Sequence, residues 1–117
     1  LQKKEVVMSG RDNLGEFEQI AMLAIWKLGS NAYGTTIKEE IEVQASRSVA
    51  IGALYTTLGR LEAKGFVRSG LGDATPERGG RAKRFFQLTG DGEVALRKSL
   101  QALKKISVGF LSPEEAL

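Results

Sequence analysis

Arg78, Arg81, Lys83 and Arg84 place four cations within seven residues, and Gly79 and Gly80 interrupt them. Cations at this spacing displace the condensed counterions of a polyanion, and glycine lets a backbone lie close to a phosphate. A loop kept soluble by its charge has the same composition, so the cluster does not decide its own meaning. The glycines do not form a nucleotide-binding phosphate loop, because no Lys-Ser or Lys-Thr pair follows them.

A second set lies upstream. If residues 50–64 are helical, Ile51, Leu54, Leu58 and Leu61 form an inner stripe, and Gly52, Ala53, Thr56, Arg60, Ala63 and Lys64 share the opposite face. Short residues permit close approach to base edges, and Arg60 and Lys64 add donors of longer reach. Thr57 lies beside them as a groove-lining candidate. An ordinary amphipathic helix with a solvated outer face is the competing reading.

Other chemistry is poorly supplied. The chain has no cysteine and no histidine, which removes thiolate chemistry, the commonest metal ligands and the commonest general base. No carboxylate pair sits in an apolar setting, so the chain reads as a non-enzyme with neither cofactor nor metal. Apolar residues make up 42% of the chain and aromatic ones only 7%, so the core must be aliphatic. No apolar run approaches the ~18 residues of a membrane span, and no secretory pattern opens the chain, so a cytoplasmic location is expected.

The net charge of +3 hides an asymmetry. Residues 1–59 carry six basic and seven acidic side chains, and residues 60–105 carry eleven and five. A basic middle suits a polyanion partner, although charge alone fits a solvated surface equally well.

The elements that must position these residues are four helices and one hairpin. The first helix is expected over 14–28, with Trp26 packed in the dense apolar run Ile20–Trp26. Residues 31–34 form a connector with a rudimentary strand. The second helix starts at Thr35 or Thr36 and turns Ile37, Ile41 and Ala45 inward; Ser48 is the candidate cap of the third. Gly65 stops the third helix, residues 66–68 and 84–88 form the hairpin, and Thr89 caps the last helix. Tyr33 and Tyr55 are expected to pack with a polar tip, from which a hydroxyl can reach a phosphate. The last helix shows Leu96, Leu100, Leu103, Ile106 and Phe110 along one side, with Pro113 after its end. No later helix covers that stripe, so a second copy of the chain is expected to.

Helix, helix, helix, hairpin is the order of a winged helix-turn-helix, whose third helix enters the major groove of DNA. The run from Ile51 to Val67, with Gly52, Leu54, Tyr55, Arg60, Leu61 and Gly65 in place, resembles the recognition helix and first wing strand of PadR-like transcriptional regulators. Tyr33-Gly34 and the stretch from Gly79 to Thr89, followed by Gly92, are similar too. The resemblance spans about residues 14–108. It implies a dimeric repressor of the cytoplasm that leaves its operator when a small molecule or other signal arrives. The single short terminal helix resembles the smaller subgroup, some members of which bind flat aromatic compounds between aromatic residues of the dimer-interface helices. Here that helix carries no Trp or Tyr, only Phe110 near its end.

The expected chain is thus mainly helical with a small hairpin. It has an N-terminal segment over 1–13, a winged helix-turn-helix over 14–89 and a dimerisation helix with its tail over 90–117. Its expected partners are a palindromic double-stranded operator and a second copy. An effector pocket, if present, falls near Phe17, Trp26 or Phe110. The alternative is a winged-helix module that binds a protein partner without reading DNA, since fold alone does not decide function.

Overall fold

A computed structural model describes residues 13–72, 82–112 and 114–115. Most of the N-terminal segment, Pro113 and the wing tip with Arg78, Gly79, Gly80 and Arg81 lie outside the described residues. The elements are α1 (Glu16–Leu28), a short 3-10 turn (Gly29–Asn31), α2 (Gly34–Ala45), α3 (Ile51–Ala63), β1 (Val67–Leu71), β2 (Arg84–Leu88) and α4 (Gly90–Ile106). The described residues, mostly helical with one antiparallel hairpin, form a winged helix-turn-helix.

The core is aliphatic, as the composition requires. Met22 and Ile25 of α1 meet Ile37 and Ile41 of α2, Leu54, Leu58 and Leu61 of α3, and Val67 of β1, all buried. Trp26 corrects the sequence reading: it is 65% exposed. At 100° per residue it lies about 100° from the centre of the buried face set by Glu18, Ala21, Met22, Ala24 and Ile25. An apolar run that continues round a helix need not be covered on every side.

Local chemistry fixes the ends. The Glu18 carboxylate reaches back to accept from the Gly15 amide at 2.9 Å, capping α1. Thr36 Oγ1 accepts from the Tyr33 amide at 3.0 Å, so Thr36 sits inside the first turn of α2 rather than before it. Ser48 does not cap α3; Ala50 occupies that position without a side-chain bond. The α2–α3 turn is held instead by Glu42, which accepts from the Val49 amide and from Lys38 Nζ. The Lys38 ammonium, helped by the Val49 amide, keeps the Glu42 carboxyl below the usual glutamate range.

The C-terminus of α3 closes as expected at Gly65, whose φ of +83° favours glycine. The Phe66 amide donates to the Leu61 carbonyl and the Gly65 amide to the Glu62 carbonyl, the paired bonds of a Schellman motif. In the hairpin Val67 pairs with Leu88 and Ser69 with Phe86. The connector after α1 adds the rudimentary third strand: the Phe86 amide donates to the Ala32 carbonyl, and Tyr33 bridges to Phe85. Thr89 caps α4 by accepting from the Gly92 amide. Among the described residues no helix is long and apolar enough to cross a membrane.

Candidate nucleic-acid interface

The buried stripe of α3 is Leu54, Thr57, Leu58 and Leu61, and Ile51 is exposed. Relative to the stripe expected from sequence, its centre is rotated by about 30° at 100° per residue. That rotation corrects two candidates. Thr57 turns inward and is buried, so it cannot line a groove. Lys64 also turns inward, where Nζ donates to both oxygens of Glu18 at 3.0 Å and to the Asn13 carbonyl. With the lysine side chain 13% and the glutamate side chain 9% exposed, this pair ties the end of α3 to the start of α1. A cation so committed is unavailable to a base edge.

What remains outside is Ile51, Gly52, Ala53, Tyr55, Thr56, Gly59, Arg60, Glu62 and Ala63, all exposed, with Ile51 and Glu62 at the edges. Ala53, Thr56 and Arg60 therefore share a bare face, as expected. Tyr55, whose hydroxyl is already a phosphate candidate, and Gly59 join them, and the rotation accounts for their place on this face. A Cβ built at Gly52 or Gly59 would meet nothing within 4 Å. The protein's own packing thus gives no reason for either glycine, although Gly59, inside the helix, costs roughly 1 kcal/mol relative to alanine and Gly52, in the first turn, less.

The first turn of α2 borders this face. The Tyr55 side chain lies over Gly34, where a Cβ would stand 2.8 Å from the ring carbon Cζ. Any side chain at position 34 would displace the tyrosine, which accounts physically for the Tyr33-Gly34 pair. Tyr33 in turn meets Phe85 edge-on, with centroids 5.3 Å apart. Lys83 Nζ sits 3.8 Å above the Tyr33 ring centroid, a cation–π contact that holds this wing cation at the root of the hairpin. Arg84 Nη1 donates to Ser69 Oγ at 2.9 Å, and Ser69 Oγ donates to Glu62. That chain fastens the wing to the last turn of α3. Lys83 and Arg84 are thus positioned by the fold; Arg78 and Arg81 lie outside the described residues.

The terminal stripe is graded. Leu96 is 6% exposed, Leu100 37%, Leu103 54%, Ile106 84% and Phe110 86%. Leu96 packs into its own core, so it leaves the set of residues free to meet a partner. Phe110 stands beyond the helix, which ends at Ile106 and gives way to a turn containing Gly109 at φ +90°. Of the aromatic trio, Trp26 alone lines a groove between α1 and α4, with a volume of about 290 Å³ and walls that include Leu23, Leu96 and Leu100. Phe17 packs against the core and Phe110 lines no part of that groove, so the three do not converge on it.

The family model described as the transcriptional regulator PadR-like family matches residues 22–98. A PadR-like transcription factor from Bacteroides fragilis is 26% identical, with a TM-score of 0.67, over 78% of this chain and 82% of that one. The complex structure of hsRosR-SG is similar at 26% identity and a TM-score of 0.68, over 86% of this chain and 82% of the other. A PadR family regulator from Clostridium difficile R20291 shares the fold at 24% identity and a TM-score of 0.60, over 82% of this chain and 99% of its own. No curated protein matches.

Proposed function

Because the chain belongs to the PadR-like family of transcriptional regulators, and is a DNA-binding regulator on that account, we propose that it works as a homodimeric repressor on a palindromic operator and that an effector releases it. The bare face of α3 carries this reading: Gly52, Ala53, Thr56 and Gly59 keep side chains short, and Arg60 projects beside them without a partner among the described residues. Such a face lets a backbone approach base edges while one guanidinium reaches guanine O6 and N7. Lys83 and Arg84 flank it as phosphate contacts, with Arg78 and Arg81 as further wing candidates for phosphate or the minor groove.

The exposed run Leu100, Leu103, Ile106 supports pairing through α4, since a second copy is the simplest cover for three large apolar side chains in a row. Release by an effector requires a ligand that favours the arrangement unable to bind DNA, because equal binding to both states shifts nothing. The groove beside Trp26 is the candidate seat.

The test is operator selection from random DNA combined with sedimentation. The expected result is a dimer and a two-fold palindrome with half-sites about one DNA turn apart, ~34 Å, or a multiple of it. A monomer that selects single, unpaired sites overturns the dimer. For release, candidate ligands are screened by quenching of Trp26, the single tryptophan. A ligand that binds tightly and leaves operator affinity unchanged overturns the switch.

A further inference from the structure

Gly65 and Thr89 are 24 residues apart in sequence, yet they join the end of the recognition helix to the start of α4. Thr89 Oγ1 donates to the Gly65 carbonyl at 2.7 Å and accepts from the Gly92 amide at 3.0 Å. One hydroxyl does both because it carries a donor and two lone pairs. The Thr89 amide donates to the Phe66 carbonyl at 3.0 Å. Gly92 lies directly against that same carbonyl group: a Cβ there would stand 2.9 Å from the Phe66 carbonyl carbon and closer still to its oxygen. On the other side, the Gly65 and Phe66 amides are bonded back into the last turn of α3. Every link in this joint is therefore backbone, apart from one side-chain hydroxyl.

We propose that Thr89, seated by Gly92, is a positioning residue for operator recognition: it fixes the angle between α3 and α4, and through α4 the separation of the two recognition helices in the dimer. This rests on the reading of α4 as the dimer helix. The leverage is large. A helix of 17 residues spans ~25 Å. A change of about 10° at the joint then moves the far end by ~4 Å, more than the ~3.4 Å rise of one base step. Two recognition helices held by looser joints would accept half-sites at several spacings; held by this one they accept one.

Two substitutions separate the joint from the cap. Thr89→Ser keeps a hydroxyl and both bonds. Thr89→Asp keeps an acceptor for the Gly92 amide, and caps a helix as well as threonine does, but has no donor for the Gly65 carbonyl. Both variants should melt cooperatively and sediment as the parent does. The measurement is binding to operators whose half-sites are moved one or two base pairs closer or further apart, alongside binding to operators with altered bases inside a half-site. Thr89→Asp should lose roughly 2- to 30-fold of its discrimination between spacings, the range that coupling between packed elements spans. Its base preference within a half-site should stay as in the parent, and Thr89→Ser should match the parent throughout. A Thr89→Asp dimer that keeps the parent's spacing profile overturns the joint. A parent that is monomeric and indifferent to spacing overturns the dimer reading, and the proposal with it.

Discussion

Two helices of this molecule expose most of a face, and the faces are opposites. On α3 the centre of the exposed face is glycine, alanine, threonine and one arginine, with Ile51, Tyr55 and Glu62 to one side; on the later turns of α4 it includes Leu100, Leu103 and Ile106. Exposure is therefore not one signal. A face stripped of bulk and given a single long donor fits a rigid polar groove, where contact depends on backbone approach and a few hydrogen bonds. A face of large aliphatic side chains fits another protein surface, where free energy follows apolar area removed from water. The cations sort the same way: Arg60 stays outside on α3, and Lys64, one turn on, is drawn into a buried pair.

The contrast is broken most directly on α4. Replacing Leu100 and Leu103 together with aspartate removes four leucines from the proposed two-fold interface, on the order of 6 kcal/mol or more of burial, and puts four carboxylates in their place. Sedimentation should show a monomer. The half-exposed positions of both leucines mean the winged unit itself should still fold. Single half-sites should still be bound with unchanged base preference. A double variant that remains dimeric places the interface elsewhere.

The next effect concerns stability and separates the two cations of α3. Lys64→Met leaves the Glu18 carboxylate buried without its partner, a situation that costs ~3–5 kcal/mol. Thermal unfolding should report that loss, and the base preference of whatever remains folded should be the parent's. A shift in base preference with little loss of stability would return Lys64 to the recognition face.

Much of this architecture was legible in the sequence, because periodicity and punctuation agreed. Gly65 and Thr89 mark helix ends through local chemistry, and both act as read. The misreadings share a cause. A wheel drawn through Ile51, Leu54, Leu58 and Leu61 is off by about 30° because burial of Thr57 depends on neighbours that no periodicity shows. The same neighbours decide Lys64, since its partner Glu18 belongs to a helix 46 residues upstream. The density of its apolar run points Trp26 inward, but the number of elements around α1 decides which side is covered. Spacing alone aligns Phe110 with the stripe, although α4 ends at Ile106, before it.

Arg60→Ala should cost ~1–3 kcal/mol per half-site and relax the preference at one base pair. Substitution at Lys83, held over Tyr33 at the wing root, should weaken specific and non-specific DNA alike and reduce the log-log salt slope by about 1. Titrations at several salt concentrations against operator and scrambled DNA distinguish the two patterns. If Arg60→Ala preserves both affinity and base preference, the bare face of α3 is not reading bases, and a protein partner becomes the better occupant.

The smallest effect tests the idea of a face kept short for something outside the chain. Gly52 and Gly59 lie within α3, and space for a methyl group is open at both. In a helix interior alanine is favoured over glycine by ~0.5–1 kcal/mol. Gly59→Ala should therefore stabilise the free protein by about that amount, and Gly52→Ala, in the first turn of α3, by less, each with a higher melting temperature. On DNA the same methyl group stands between the helix backbone and the groove, so operator affinity should fall while stability rises. Opposite signs in the two measurements cannot come from damage to the fold, because damage lowers both. If either substitution raises stability and leaves operator affinity unchanged, DNA does not approach the helix at that residue. If both do so, closeness of approach is not why the face is bare, and Arg60 must then account for recognition by α3 largely alone.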